Sequence, residues 1–214
     1  MAEIGAEAVR QLRERSGAGI MDCKRALTAT SGDLDRAADW LREKGLASAA
    51  KKAGRAVTEG AVVSYIHAGG RLGVLLELNC ETDFVARTPE YQALARELAM
   101  QVAASNPRWV RREDVPAGAV EHERELLTRQ AVAEGKPERI AKQIVQGRMG
   151  KFFSEHCLLD QPYIKDGDRT VGQLVQEAIA KFGENIVLRR FVRFALGEAA
   201  GEGEPAAADG EARA

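Results

Sequence analysis

The sequence predicts an α+β fold, in which a helical N-terminal region precedes a core of helices packed on an antiparallel sheet. Three observations predict it. Apolar residues recur at helical spacing through residues 1–45. Two β-rich runs, "AVVSYIH" at 61–67 and "RLGVLLELNC" at 71–80, flank the glycine turn "AGG". A late apolar run, "NIVLRRFVRFAL" at 185–196, is long enough to join this hairpin as a further strand.

Three short amphipathic helices are predicted within residues 1–45, separated by "SGAG" at 16–19 and "TSGD" at 30–33. Asp33 is the predicted N-cap of the third helix, and Gly45 is its predicted end. A bundle of this size has a thin core and is marginal by itself. Residues 46–60 are a predicted linker with a short helix. The apolar faces of the three helices are Ile4, Ala8, Val9 and Leu12, then Ile20, Cys23 and Leu27, then Leu34, Ala37, Ala38 and Leu41.

Residues 61–197 form the predicted core. After the hairpin, Thr88 as N-cap and Pro89 at the first helical position begin a helix over 88–104, which closes before Asn106. Two more helices are predicted at about 117–134 and 137–155, and "KDGD" at 165–168 predicts a turn. A last helix over 170–182 is stopped by Gly183 before the late strand. Residues 198–214 carry no large apolar group and are predicted to be a disordered tail.

Composition restricts the class of function. The net charge is −1, with acids and bases interspersed, which argues against a nucleic-acid-binding protein. The three cysteines Cys23, Cys80 and Cys157 are odd in number and far apart, which indicates reduced thiols and a cytoplasmic protein. The N-terminus carries Glu3 and Glu7 without a long apolar stretch, so no signal peptide or membrane anchor is expected.

The sequence shows no catalytic or metal-binding constellation. The histidines His67, His122 and His156 do not form a metal-ligand spacing with the cysteines, so we expect neither a metal nor a cofactor. Cys80 and His67, across the predicted hairpin, are an alternative nucleophile and base. Packing is favoured for Cys80 because no orienting group is evident. A binding protein is therefore favoured over an enzyme, with a cysteine hydrolase as a distant alternative.

The stretch "NCETDFVARTPEY" at 79–91 places an apolar ring where a polar turn is expected. The strand-like run "VLLEL" at 74–78 has just ended, and the helix at Thr88 has not begun. Asp83 and Phe84 stand between the two. From the pattern alone Phe84 is interpreted as a core residue at the strand end; the alternative is a side chain held out for a partner.

Four separated segments resemble bacterial elongation factor Ts, in that family's order. They are "LRERSGAGIMDCKRAL" at 12–27, "AAKKAGR" at 49–55, "LELNCETDFVAR" at 76–87 and "GENIVLRRF" at 183–191. The segments "GKPERIAKQIVQGRMGKF" and "DQPYIKD" extend the resemblance, which covers about residues 3–197. It implies a guanine-nucleotide exchange factor for the translational GTPase EF-Tu in its GDP-bound form. It also implies an N-terminal three-helix domain similar to ubiquitin-associated (UBA) domains.

The resemblance implies a role for the stretch that carries Phe84. Thr82, Asp83, Phe84 and Val85 match the family segment that is implicated in dislodging Mg²⁺ from EF-Tu. There the phenylalanine is inserted between helices of the GTPase domain. The resemblance thus favours the held-out Phe84 over the core Phe84. Asp83 is expected either to engage the partner or to cap the local turn.

A second set of contact residues follows from the same resemblance. Arg13, Ile20 and Met21 match exposed residues of the family's N-terminal domain that contact the GTPase domain. Ile20 departs from the family's frequent methionine and lies on the predicted apolar face of the second helix. Met21 adjoins that face and is the better candidate.

The resemblance also bears on the oligomeric state. Longer family members carry two related core subdomains, whereas this chain has room for one. A homodimer is therefore predicted, through the late strand around Phe191 to Phe194 or through the hairpin edge. The alternative to an exchange factor is a non-enzymatic adaptor, whose three-helix domain binds a ubiquitin-like or nascent-chain partner.

Overall fold

The computed structural model describes residues 4–135 and 137–198, and its fold class is α+β, as predicted. A three-stranded antiparallel sheet has the order β1-β2-β5, and a two-stranded sheet pairs β3 with β4. The strands are β1 (Glu59–Ile66), β2 (Leu72–Cys80), β3 (Pro162–Tyr163), β4 (Asp166–Thr170) and β5 (Ile186–Ala195). The helices are α1 (Ala6–Ser16), α2 (Ile20–Ala29), α3 (Leu34–Lys52), α4 (Asp83–Ala86), α5 (Pro89–Ser105), α6 (Ala117–Ala133), α7 (Glu138–His156) and α8 (Val171–Phe182).

The chain folds as two units, and both are built from separated segments. The first unit contains the described residues 4–60 together with Asn79–Ala86 and Leu174–Val187. The second unit contains Ala61–Leu78, Arg87–Gln173 and the described residues 188–198. The segment that carries Phe84 therefore belongs to the same unit as the three N-terminal helices.

Helices α1, α2 and α3 bury the predicted apolar faces against one another. Leu12, Cys23, Leu27 and Ala37 are fully buried at the centre of this cluster. Ile20 is the exception, because 57% of its surface is exposed. It is the first residue of α2, and helical side chains point back toward the helix N-terminus, so no preceding turn of α2 lies beneath it. The prediction of Ile20 as a core residue is wrong.

Gly45 does not end the third helix, which continues to Lys52 through part of the predicted linker. The reason lies in packing. A Cβ atom at Gly45 would stand 3.3 Å from the Cβ of Ala180 in α8, closer than most such contacts. The glycine therefore allows α3 and α8 to approach closely, which a sequence pattern cannot distinguish from a helix stop. The predicted N-cap is confirmed, since the Asp33 carboxylate accepts from the amides of Asp35 and Arg36.

The hairpin and the late strand form the three-stranded sheet as predicted. The amide of His67 donates to the Leu72 carbonyl (2.9 Å), and the turn between them uses Gly69 and Gly70 at φ values of 90° and 68°. Alternate residues of β2 are buried: Val74, Leu76, Leu78 and Cys80.

The predicted boundaries of α5 are confirmed by its caps. The Thr88 hydroxyl accepts from the Tyr91 amide (3.3 Å), and Pro89 takes the first position of the helix. Asn106 ends the helix in the left-handed region at φ 45°. The helices predicted at 117–134, 137–155 and 170–182 are also found, with shifts of a residue at their ends.

The turn predicted at "KDGD" is wrong in its position. The turn is at Ile164 and Lys165, and Asp166 already belongs to β4, which pairs with β3. A polar side chain from α5 helps to hold this hairpin. The fully buried Gln101 donates to the Pro162 carbonyl (3.1 Å) and accepts from the Ile164 amide (2.8 Å). A polar strand held in this way has no apolar alternation to reveal it.

At the C-terminal end, Glu198 is described and forms an ion pair with Arg193. The rest of the predicted disordered tail, residues 199–214, lies outside the described residues. Within the described ranges, none of the helices has the length and apolar character needed to cross a membrane.

Candidate functional site

Phe84 is 82% exposed, more than any other large apolar side chain in the described part of the chain. It lies on α4, a single turn of helix. Ala86 is buried and Val85 is half-buried, so the inward side of α4 is occupied by these small side chains. The interpretation of Phe84 as a core residue is therefore wrong, and its ring is available to a partner.

Thr82 is the N-cap of α4. The Thr82 hydroxyl accepts from the Val85 amide (3.4 Å), and its carbonyl accepts from the Ala86 amide (3.3 Å). The same carbonyl accepts from the buried Cys80 thiol (3.1 Å). Asp83 follows the cap and is half-buried.

A carboxylate from the other end of the sequence holds the residues before α4. Oε2 of Glu184 accepts from the amides of Glu81 (3.1 Å) and Thr82 (3.0 Å), and its Oε1 accepts from the Thr82 hydroxyl (2.6 Å). Glu184 follows Gly183, which ends α8 at φ 78°. The Thr82 hydroxyl thus donates to Glu184 while it accepts from α4.

The segment at 81–82 also holds the segment at 184–185 in return. Oε1 of Glu81 accepts from the amide of Asn185 (2.6 Å), and the Arg55 guanidinium lies 3.5 Å from the same oxygen. The buried Asn185 side chain in turn donates to the Arg55 carbonyl (2.9 Å). Two adjacent backbone segments therefore satisfy each other's amides through carboxylates, which are strong acceptors for N–H donors.

The other candidate residues lie on the N-terminal helices, and all three are exposed. Arg13 is on α1, while Ile20 and Met21, 57% and 65% exposed, open α2. Asp22 follows them and forms ion pairs with Arg25 (2.6 Å) and Lys44 (3.7 Å). An apolar pair bordered by charged groups is the composition expected of a binding surface.

The alternative nucleophile and base, Cys80 and His67, lie beside opposite ends of β2. His67 faces Leu72 at the start of the strand, while Cys80 is its last residue. Eight residues at ~3.3 Å each separate them by roughly 26 Å along the strand, which contradicts this pair.

Burial raises the pKa of the Cys157 thiol to about 12, so it stays protonated at neutral pH. Among the described residues, no group of three His, Cys, Asp or Glu side chains is arranged to hold a metal ion.

Sequence reasoning missed the residues that brace the site: Glu81, Glu184 and Asn185. Glu184 and Asn185 lie in the segment "GENIVLRRF", which contributed to the family resemblance without a role. A signal was present, because a glutamate between a helix-ending glycine and a buried strand is a polar group close to the core. The linear sequence does not indicate that Glu184 accepts a hydrogen bond from Thr82, because Thr82 lies 102 positions earlier.

The fold and the site define an α+β protein that presents an exposed aromatic side chain on a braced turn, the form of a protein-binding surface. The family described as "Elongation factor TS" matches residues 42–198. The protein named Elongation factor Ts from Carboxydothermus hydrogenoformans is 60% identical over 195 residues, 91% of this chain and 90% of that protein. The Desulforamulus reducens protein of the same name is 58% identical over 198 residues, 92% and 91% of the two chains. The chain belongs to the elongation factor Ts family, whose members are translation elongation factors.

Proposed function

We propose that this chain is a guanine-nucleotide exchange factor that binds GDP-bound EF-Tu and promotes GDP release by disturbing the Mg²⁺ and phosphate site. The observation that carries this proposal is Phe84, 82% exposed on a short helix whose start is fixed by hydrogen bonds. An apolar ring held out of its own core gains free energy when it enters a partner's pocket. Membership of the elongation factor Ts family supports EF-Tu as that partner.

The mechanism requires no bond chemistry. Exchange passes through a ternary intermediate in which the factor and GDP weaken each other's binding to EF-Tu, and this weakening is reciprocal. Each tenfold acceleration of release needs ~1.4 kcal/mol of differential stabilisation. Burial of one phenylalanine supplies ~1.5–3 kcal/mol, so Phe84 accounts for an acceleration of GDP release of about ten- to a hundredfold. Val85 and the carboxylate of Asp83 flank the ring and complete the proposed contact. GTP then binds and displaces the factor.

The N-terminal helices supply a second contact in this proposal. A UBA-like domain at 1–45 binds EF-Tu through Arg13, Ile20 and Met21, the linker spans 46–60, and the core spans 61–197. The exposure of all three side chains supports the contact. We expect this contact to contribute to affinity more than to release, because Ile20 and Met21 offer exposed apolar area to the partner.

The second unit carries an apolar surface that supports the proposed homodimer. Exposed large side chains on the three-stranded sheet and just after it are Val62, Ile66, Leu75, Phe194 and Leu196. Phe191 is buried, so it does not belong to this surface. Of the two phenylalanines predicted from the sequence to lie at the dimer contact, only Phe194 is exposed. Pairing two copies through this surface removes the apolar groups from water. Light scattering at working concentration tests it: a monomer mass with full activity would rule out an obligatory dimer.

The test of the exchange function is the release of fluorescent GDP from EF-Tu, with and without this protein. An exchange factor accelerates release, with a rate that saturates as the protein concentration rises. It also co-purifies with EF-Tu and dissociates when GDP is added. An adaptor of the alternative kind would leave the release rate unchanged at every concentration.

A further inference from the structure

Glu184 is the only residue for which the structure records three hydrogen bonds to the segment just before α4 within the described ranges. All three go to residues 81 and 82, at 3.1, 3.0 and 2.6 Å. None of them reaches α4 itself, and Phe84 takes no part in them. The carboxylate thus acts on the entry to α4 rather than on the ring.

A helix as short as α4 does not hold its own conformation. Isolated helices below about 12 residues are marginal in water, and α4 has four. Its most exposed side chain, Phe84, adds no packing that would fix its direction. The direction of the ring therefore depends on what holds α4: the burial of Ala86 and the cap residue Thr82. The position of Thr82 depends in turn on its hydrogen bonds to Glu184.

We propose that Glu184 is the positioning residue of the site, which holds Thr82 so that α4 presents Phe84 in one fixed direction. This role rests on the proposed exchange function. A ring that is already oriented loses less conformational freedom when the partner binds, and it enters the pocket at the correct depth. Glu81 and Asn185 support the same arrangement, because their hydrogen bond (2.6 Å) fixes the loop that carries Glu184.

The matched variants differ in how many of the three hydrogen bonds they keep. Glu184→Ala removes all of them. Glu184→Gln keeps one oxygen, which accepts from both backbone amides. It is the variant to use if the Glu184→Ala protein does not fold. Glu43→Ala removes an exposed carboxylate from α3 and serves as the control.

The first measurement is the maximal rate of fluorescent GDP release from EF-Tu at saturating factor. We expect Glu184→Ala to lower it about tenfold, Glu184→Gln to recover most of it, and Glu43→Ala to leave it unchanged. The second is a double-variant cycle with Phe84→Ala. If Glu184 acts through the ring, adding Glu184→Ala to Phe84→Ala lowers the rate less than about twofold further.

The third measurement uses the protein alone. Hydrogen exchange at the Glu81 and Thr82 amides should be about tenfold faster or more in Glu184→Ala, with the melting temperature above the assay temperature. Multiplying effects in the double variant would overturn the positioning role, as would a wild-type maximal rate in Glu184→Ala. A wild-type protein that does not accelerate GDP release would overturn the exchange function itself and this role with it.

Discussion

The two exposed apolar surfaces of the first unit are held in different ways. At α4, the backbone before Phe84 is fixed by the carboxylate of a residue 102 positions later. At the start of α2, Gly19 is the N-cap and no side chain caps the helix. Ile20 and Met21 there depend on the packing of the rest of α2, through Cys23 and Leu27, for their position.

This difference teaches which surface is suited to which task. Displacing a bound ion requires a side chain at a defined depth and angle, so the residue that does it benefits from a fixed backbone. Holding a partner requires apolar area and tolerates small movements of each contact. In the proposed function, the α4 segment held by Glu184 therefore suits the release step, and the start of α2, which has no side-chain cap, suits affinity.

The largest expected effect is that of Phe84→Ala. GDP release at saturating factor should slow about ten- to a hundredfold, because ~1.5–3 kcal/mol of burial in the partner is lost. The melting temperature should stay within a degree or so of wild type, since an exposed ring fills no internal cavity. Stopped-flow release and thermal unfolding on one preparation measure both. Val132→Ala, at a residue 64% exposed on α6, is the control. A large loss of stability with exchange preserved would contradict the proposed insertion of Phe84 into the partner.

A smaller effect of a different kind is expected for Met21→Ala. The factor concentration for half-maximal release should rise about fivefold, equivalent to ~1 kcal/mol of affinity, while the maximal rate stays unchanged. Titration of the factor in the release assay measures both parameters. Thr28→Ala, on an exposed position of the same helix, should shift neither. A fall in the maximal rate with Met21→Ala would erase the contrast between the two surfaces.

The charge beside the ring should contribute less. Asp83→Ala should change the release rate about two- to threefold at low salt, and by less at high salt, because salt screens a carboxylate that acts on the partner. The effect of Phe84→Ala should not depend on salt in this way. Release rates at two ionic strengths suffice for the comparison. Equal effects at both would mean that Asp83 acts within its own chain.

The smallest effect comes from giving α2 the kind of cap that α4 has. Gly19 lies at φ −62° and ψ 149°, which any residue adopts, and an added Cβ would meet only Asp22 at 3.5 Å. Gly19→Ser should therefore raise the free energy of unfolding by a few tenths of a kcal/mol, roughly the difference between serine and glycine caps. Chemical denaturation detects this change against Gly19→Ala, which adds the carbon without the hydroxyl. We expect no change in the maximal release rate, and an increase would show that α2 also positions the release step.

Local chemistry let the sequence determine most of the elements. The N-caps Asp33 and Thr88, the glycine turn of the hairpin and the helical spacing of Cys23 and Leu27 all depend on residues a few positions apart. Such interactions are complete within a short segment, so a pattern that contains them predicts the element. The sequence also determined the candidate site through its motif, although only the resemblance distinguished a held-out Phe84 from a core one.

The tertiary structure decided the rest, because it depends on which distant segments meet. Gly45 is a close contact with Ala180 and not a helix end, and the polar strand β4 belongs to a hairpin held from α5 by Gln101. The exposure of Phe84 follows from the smaller neighbours that occupy the inward side of α4. The brace from Glu184 joins residues 102 positions apart. The Glu184 carboxylate and the Thr82 amide come within hydrogen-bond distance only when the chain folds. No local sequence pattern predicts that contact.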